Sequence, residues 1–247
     1  MKRTFILALV VFVSVAVSAQ KVRVAGAANL RYVLDDIKAL YAVKHPNVKI
    51  DVTLGASGAL LQQIINGAQF DFFMAADKTF PDKLKEHGAA SGDVKTYAFG
   101  TLALWSTTVD VTKGIDIITD PSVVHIAVAK PELAPYGDRA IQCLHYYHLF
   151  DKVKDKIVYA DNIAQAAQYA STGNAEVWFL ALALVLAPDM RNNGIYFALD
   201  AKSYRPVEQA CVLVKTWERN AEASAFMDFV LSNACRPIFE KYGYILP

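Results

Sequence analysis

The chain repeats one local pattern: a short apolar strand, a turn of small residues, and a helix with apolar residues on one face. In the first repeat, the strand at 22–25 leads through a Gly-Ala-Ala turn to a helix that begins near Asn29. In the second, apolar and polar residues alternate strictly over 48–54, which is the period of a strand, and a Gly-Ala-Ser-Gly turn opens the next helix. Such alternation is typical of α/β folds. We therefore predict sheets flanked by helices.

The order of the repeats predicts two lobes. After the first hundred residues the pattern begins again with a strand at 100–105, and two further strand–helix cycles follow, the last helix ending at Gly173. A later strand over Val207–Val214 is predicted to return to the first lobe, before one or two closing helices. We therefore assign residues 20–100 and 204–247 to the first lobe and residues 101–203 to the second.

The first 19 residues have the composition of a secretory signal. Lys2 and Arg3 precede an apolar run at 5–17, and small residues lead to a predicted cleavage after Ala19. A membrane span needs roughly 20 apolar residues, so an uncleaved anchor helix is the less favoured alternative. No cysteine follows the cleavage point. We expect a soluble protein without a lipid anchor, exported to the periplasm.

Charge and cysteine content exclude several classes of protein. The 25 basic and 24 acidic side chains give a net charge of +1, which provides no basic field for nucleic acid. Three cysteines in 247 residues indicate neither a disulfide scaffold nor a structural zinc site. We therefore expect no nucleic-acid partner and no structural metal.

Ligand chemistry is expected where strands meet helices, because helix N-termini present unpaired N–H groups at the carboxyl edge of a sheet. Two such junctions stand out in each half of the chain: Ala28-Asn29, Ser57-Gly58, Tyr136-Gly137 and Asn162-Ile163. Facing lobes would direct four helix N-termini into one cleft. The alternative at each junction is an ordinary cap, in which a side chain satisfies the helix N–H groups.

A site of this kind is rich in neutral donors. Asn29 and Ser57 add side-chain donors, and no Arg or Lys lies at the four turns except Arg139, one turn into its helix. Such a site suits a fully deprotonated oxyanion, which only accepts hydrogen bonds. Asp138 and Asp161 also lie near the turns, and we interpret them as solvated or helix-start carboxylates. As acceptors, however, they leave hydrogen phosphate open as a ligand.

Six segments of the chain, taken in order, resemble those of the periplasmic molybdate-binding proteins of ABC transporters. The similarity extends over essentially the whole chain after the signal. The segments are those at 24–30, 54–60, 71–77, 133–137, 161–166 and 240–244. The resemblance implies a two-lobed type II periplasmic-binding-protein fold, with molybdate or tungstate held in the interlobe cleft.

The resemblance also implies ligand residues. Asn29 and Ser57 would donate from side chain and backbone, and Tyr136 and Ile163 from backbone N–H, with no direct bond from protein to metal. Two positions depart from the family pattern. Ala28 cannot supply the hydroxyl that some members have there, and Trp178 replaces a small residue in a segment where other members place a tyrosine. The chain is therefore most similar to the branch of the family with Asn and Tyr in the site.

The resemblance implies a carrier, with no cofactor and no catalytic residue. Its expected partners are a small oxyanion and the permease and ATPase subunits of an ABC transporter, and we expect a monomer whose lobes close by hinge bending. One alternative is a protein of the same fold for another small anion, such as sulfate or phosphate. A remote alternative is an exported serine hydrolase using Ser57, although its turn lacks the G-x-S-x-G pattern.

Overall fold

Two five-stranded sheets form the framework of the protein, for which a computed structural model describes residues 20–172, 175–215 and 220–247. The predicted signal at 1–19 and the predicted helix end at Gly173 lie outside the described residues. The strands are β1 (Gln20–Ala27), β2 (Val48–Gly55), β3 (Phe72–Ala75), β4 (Ala90–Gly100), β5 (Leu102–Ser106), β6 (Ile126–Ala129), β7 (Ile157–Ala160), β8 (Val177–Ala181), β9 (Ile195–Ala198) and β10 (Val207–Val214). The α-helices are α1 (Arg31–Lys44), α2 (Ser57–Ile65), α3 (Thr79–Glu86), α4 (Pro135–Tyr146), α5 (Phe150–Val153), α6 (Ile163–Thr172), α7 (Leu182–Val185), α8 (Pro188–Arg191), α9 (Ala221–Val230) and α10 (Arg236–Lys241).

The two sheets have the same plan. The first has the strand order β2-β1-β3-β10-β4 and the second the order β7-β6-β8-β5-β9. In each sheet, three neighbouring strands are parallel and the next two pairings are antiparallel. The strand that enters each sheet from the other lobe, β10 or β5, is the one that makes both antiparallel pairings. This arrangement confirms the predicted two-lobed α/β fold.

The central strands are apolar because helices cover both faces of each sheet. Every residue of β3, β6 and β8 is buried, as expected for strands without a solvent-facing side. The cysteines Cys143, Cys211 and Cys235 lie in these interiors as free thiols. Their burial raises the pKa of Cys143 to about 11 and that of Cys211 to about 12.

The lobes are joined by two close crossings. Thr101 alone separates β4 from β5, and the segment from Leu199 to Pro206 links β9 to β10. The crossings are tied together, since the Leu199 N–H donates to Leu102 O at 2.9 Å and the Leu102 N–H donates to the Tyr204 hydroxyl at 3.1 Å. The strands of the first sheet fall within residues 20–100 and 207–214, and those of the second within 102–198. The limits of the two lobes stay a prediction.

The strand β4 is not predicted by the sequence pattern. The expected strand at 100–105 instead divides into the last residue of β4 and the first four residues of β5. β4 lies at the edge of its sheet and pairs with β10 through two register shifts. The first half of the strand is mostly polar and exposed. An irregular, half-solvated edge strand has neither the apolar run nor the strict alternation by which the other strands are recognised.

Candidate functional site

All four predicted ligand residues line one cavity between the lobes. The cavity walls are the ends of β1 and β2, the start of α2, the segment after β3, and the starts of α4 and α6. The lining residues are Ala27, Ala28, Asn29, Gly55, Ala56, Ser57, Ala76, Ala134, Pro135, Tyr136 and Ile163. The space that the centre of a water molecule can occupy inside it is about 10 Å³. The structure therefore brings the four junctions together around room for one small group.

The lobes are closed over this cavity. The Gly58 N–H at the start of α2 donates to Leu133 O of the second lobe at 2.9 Å. On another side of the cleft, the Tyr32 hydroxyl of α1 donates to Asp189 Oδ2 of α8 at 3.0 Å. These contacts cross between the sheets and hold the two lobes against each other at the cavity.

Three of the helix starts at the cavity have no side-chain cap. The residue that precedes α2 is Ala56, the one that precedes α4 is Ala134, and Ala27 precedes the short 3-10 turn Ala28–Leu30. None of the three starts has a side-chain cap hydrogen bond, because alanine has no polar atom to accept one. Their first N–H groups have no acceptor inside the helix. The Gly58 N–H bonds Leu133 O and Pro135 has no N–H, so the N–H groups left beside the cavity are those of Asn29, Ser57 and Tyr136.

The fourth helix start is capped by its own side chain. Asn162 Oδ1 accepts hydrogen bonds from the N–H groups of Ala164 and Gln165, both at 3.0 Å. This leaves the N–H of Ile163, the first residue of α6, beside the cavity. The ordinary capping that the sequence left open is thus observed at this junction alone among the four.

Ser57 is oriented by the backbone of its own lobe. Its side-chain oxygen accepts a hydrogen bond from the Ala76 N–H at 3.0 Å, and the residue is 1% exposed. A hydroxyl that accepts in this way keeps its own proton free to donate. Ser57 therefore offers a side-chain O–H together with the N–H at the start of α2.

Asn29 is buried at the cavity, but its amide is engaged elsewhere. Nδ2 donates to Gln209 Oε1 at 2.9 Å and to the Tyr244 hydroxyl at 2.7 Å. Oδ1 is buried and has no hydrogen-bond partner. In this orientation both amide protons of Asn29 point away from the ligand space, so donation from its side chain stays a prediction.

No charged side chain lines the cavity among the described residues. The Arg139 guanidinium contacts the carboxylates of Asp77 and Asp138, and Nε donates to Arg205 O at 3.0 Å. Because Asp77 follows β3 and Arg139 lies on α4, this buried ion pair joins the two lobes. It also leaves Arg139 unavailable to a ligand.

The carboxylates near the turns are likewise engaged outside the cavity. Asp161 is exposed, and its hydrogen bond with Lys130 at 2.6 Å holds the pKa of its carboxyl below the usual range. Asp138 accepts from Gln142 Nε2 at 2.7 Å. A lining with neutral donors and no carboxylate favours an anion without a proton to donate.

Three polar residues behind the cavity wall have no role that is predicted from the sequence. Tyr97, Gln209 and Tyr244 are buried and form hydrogen bonds with one another or with Asn29. Burial raises the pKa of the phenols of Tyr97, Tyr136 and Tyr244 well above the ordinary value, so all three remain protonated at neutral pH. Only Tyr244 gave a sequence signal, through the segment at 240–244.

The two departures from the family pattern differ in position. Ala28 lines the cavity and presents a methyl group there. Trp178 lies in β8, fully buried, opposite Trp105 in the sheet, and it is not among the lining residues. The alanine therefore bears on ligand contacts, whereas the tryptophan contributes to the interior of the second lobe.

Comparisons with known proteins agree with this geometry. Residues 22–245 match the family model of the bacterial extracellular solute-binding proteins. The chain is 36% identical to the molybdate-binding protein ModA of Rhodobacter capsulatus, over 97% of this chain and 94% of that protein. It is 35% identical to ModA of Azotobacter vinelandii, over 93% and 91%.

Solved structures give the same result. The periplasmic molybdate-binding protein of Azotobacter vinelandii matches with a TM-score of 0.85 and 30% identity, covering 92% of this chain and 99% of that chain. The sulfate-binding protein SubI of Mycobacterium tuberculosis matches with a TM-score of 0.76 at 13% identity, which shows a shared fold alone. The curated relatives are binding proteins, so this chain is a binding protein and not a hydrolase using Ser57. It belongs to the molybdate-binding proteins within the bacterial extracellular solute-binding protein family.

Proposed function

We propose that this protein captures molybdate, and also tungstate, in the interlobe cavity and delivers it to an ABC importer. The observation that carries the proposal is the cavity lining, in which uncapped helix starts and neutral side chains converge with no charged group. Oriented N–H groups and helix dipoles bind an anion without a balancing cation. The relatives named for molybdate supply the identity of the anion.

Each lobe supplies a different part of the proposed coordination. From the first lobe, Ser57 donates its hydroxyl and backbone N–H, and Asn29 donates from backbone and side chain. From the second, Tyr136 and Ile163 donate backbone N–H groups. The oxygen atoms of the anion accept all of these bonds, so the metal at its centre has no direct bond to the protein. The protein supplies no cofactor and carries out no reaction.

Capture follows from the closed arrangement. An open molecule binds the anion through one lobe, the lobes then close, and the contacts between Gly58 and Leu133 and between Arg139 and Asp77 hold the closed state. The anion stabilises closure because it bonds to both lobes at once. We propose that the closed form is the one that the permease and ATPase complex recognises.

The proposed location is the periplasm, reached through the signal at 1–19. None of the helices described is both long enough and apolar enough to cross a membrane. We propose that the protein acts as a monomer and that its partners are the oxyanion and the transporter subunits, with no nucleic acid.

Sulfate or phosphate as the natural ligand is not favoured. Phosphate carries a proton near neutral pH and would need a carboxylate acceptor, but neither Asp138 nor Asp161 lines the cavity. Sulfate has the same acceptor chemistry as molybdate and differs in size. Sequence identity above 30% to molybdate-binding relatives separates these two possibilities.

Calorimetric titration of the purified protein tests the proposal. The panel consists of molybdate, tungstate, sulfate, phosphate and acetate, each followed also by thermal shift. We expect molybdate and tungstate to bind more tightly than the other anions and to raise Tm, because binding to the folded state alone stabilises it. Equal or tighter binding of sulfate or phosphate, or no binding of molybdate, would contradict the assignment.

A further inference from the structure

A buried polar network lies directly behind the anion cavity. Its centre is Gln209, which is fully buried in β10. Gln209 Oε1 accepts from Asn29 Nδ2 at 2.9 Å, and Gln209 Nε2 donates to the Tyr136 hydroxyl at 3.0 Å. The Tyr97 hydroxyl lies 2.9 Å from Gln209 Oε1, and the Tyr244 hydroxyl accepts from Asn29 Nδ2 at 2.7 Å. The network therefore connects a cavity residue of the first lobe to a helix of the second.

In the present orientation, one buried acceptor of the network is unmet and one donor is shared between two acceptors. Asn29 Oδ1 is buried and has no partner. The Tyr97 hydroxyl has one proton but lies within bonding distance of two acceptors, Ala75 O at 3.0 Å and Gln209 Oε1. Unmet polar groups in a protein interior are uncommon and cost free energy. When a side-chain amide rotates by a half-turn, its nitrogen and its oxygen exchange places. The unpaired Oδ1 belongs to the amide of Asn29, and the shared Tyr97 proton lies beside the amide of Gln209.

We propose that Gln209 is a positioning residue for anion binding: the amides of Gln209 and Asn29 make a half-turn together, and Asn29 Nδ2 then faces the oxyanion. This inference rests on the proposed function, because the turned amide matters only for an anion that accepts hydrogen bonds. In the orientation that the structure shows, the unpaired atom of the Asn29 amide is Oδ1, which repels a deprotonated oxyanion. After the half-turn, Nδ2 takes the place of Oδ1 and can donate to the oxyanion.

The turned network satisfies every group named above. Asn29 Oδ1 accepts from the Tyr244 hydroxyl and from Gln209 Nε2. The second proton of Gln209 Nε2 goes to the Tyr97 oxygen, which releases the Tyr97 proton for Ala75 O alone. Gln209 Oε1 accepts from the Tyr136 hydroxyl. The anion itself supplies the acceptor for Asn29 Nδ2, so binding and the half-turn favour each other.

The same residue links the half-turn to closure of the lobes. Tyr136 lies on α4 of the second lobe, whereas Gln209 belongs to the first sheet. Their approach depends on Gly100 at the crossing, where a Cβ atom would lie 2.0 Å from the Tyr136 hydroxyl and 2.6 Å from Gln209 Nε2. The bond between Gln209 and Tyr136 therefore joins the two lobes beside their crossing.

The inference predicts a change in selectivity when Gln209 is replaced. In Gln209→Met, the Asn29 amide is free to present either its nitrogen or its oxygen. We expect molybdate to bind roughly 10- to 100-fold more weakly, the range for a hydrogen bond to a charged group. Hydrogen phosphate at pH 8 carries one proton and gains an acceptor, so the ratio of molybdate to phosphate affinity should fall by about tenfold.

This ratio separates positioning from a general loss of structure. Weaker closure acts on both anions alike and cancels in the ratio. Calorimetry gives the molybdate constant, and displacement of bound molybdate gives the phosphate constant. Thr96→Val is the matched control, because Thr96 donates to Glu208 Oε1 at 2.6 Å next to Gln209 but lies outside the network. It should leave both constants unchanged.

A second variant keeps the test decisive if Gln209→Met does not fold. Tyr244→Phe is conservative in shape and removes the hydroxyl that holds Asn29 Oδ1 in the turned network, so it should lower the same ratio. An equal loss for both anions, or an unchanged ratio in a folded variant of either kind, would overturn the inference. If the unaltered protein itself fails to bind molybdate or tungstate, the proposed function is at fault instead.

Discussion

The helix starts of α2 and α6 face the same cavity from opposite lobes, yet they are built differently. The residue before α2 is Ala56, which makes no cap, and Ser57 adds a hydroxyl oriented by the Ala76 N–H. The residue before α6 is Asn162, whose side chain accepts from the N–H groups of Ala164 and Gln165. The first start is open to a ligand, and the second is largely satisfied by its own chain.

The two helix starts therefore differ in purpose: one is stable without a ligand, and the other keeps donors for the anion. A capped helix start is stable without a ligand, so α6 holds its shape and contributes the single N–H of Ile163. An uncapped start leaves N–H groups unmet until an anion arrives, so α2 gives up local stability and gains affinity. The choice of residue at the cap position thus determines how many donors each helix reserves for the anion.

The largest effect is expected from giving α2 the cap that it lacks. In Ala56→Asp, the carboxylate supplies the missing cap at the start of α2 and should raise the free energy of unfolding without ligand by about 0.5–2 kcal/mol. The same charge faces the anion, and repulsion at about 4 Å costs roughly 4 kcal/mol per pair of unit charges near a protein surface. We expect molybdate affinity to fall by at least about a thousandfold, as measured by calorimetry alongside denaturant unfolding.

Ala56→Asn separates the cap from the charge. It offers the same acceptor without the repulsion, so the gain in stability should persist while the loss of affinity is smaller. If Ala56→Asp binds molybdate as well as the unaltered protein, the start of α2 does not face the ligand. The comparison between the two helix starts would then have no functional meaning.

A smaller effect is expected from removing the side-chain donor of the same helix. Ser57→Ala deletes the hydroxyl but keeps the backbone N–H, so binding should weaken by about 1.5–3 kcal/mol, the range for a hydrogen bond to a charged group. Calorimetry at constant pH measures this as roughly a 10- to 100-fold rise in Kd.

Ser203→Ala is the matched control for this serine. Ser203 is also buried and donates to Asp200 O at 2.6 Å, but it lies in a 3-10 turn of the second lobe that does not line the cavity. Its replacement should lower stability and leave Kd unchanged. An unchanged Kd in Ser57→Ala would remove Ser57 from the site.

Local patterns in the sequence predict most of the fold. The strand β2 and the returning strand β10 follow from apolar periodicity, and the break between α9 and α10 follows from Pro237 near the start of α10. The strand β4 does not, because its polar, exposed first half pairs irregularly at a sheet edge. Pattern recognition fails where half of a strand is exposed and its register is irregular.

The candidate site, like the fold, is only partly predictable from the sequence. The four junctions are visible in sequence because small or polar residues follow apolar strands, whereas which of the helix starts are capped is seen only in the structure. The Gln209 network has no local signature, since Asn29 and Gln209 are separated by 180 positions along the chain and Asn29 and Tyr244 by 215. Contacts of that range become visible only when the fold has brought the two ends of the chain to one cavity.

The smallest effect is expected at the capped helix. Asn162→Ala removes the acceptor for two N–H groups of α6 and should lower the free energy of unfolding by about 1 kcal/mol. The Ile163 N–H remains in place, so Kd for molybdate should rise much less than in Ser57→Ala. Asp110→Ala is the control, because Asp110 caps a 3-10 turn of the same lobe through the Thr112 N–H and does not line the cavity. Denaturant unfolding and calorimetry on both variants measure the two effects. A loss of affinity in Asn162→Ala as large as that in Ser57→Ala would show that the cap itself contributes to ligand binding. The contrast between α2 and α6 would then not hold.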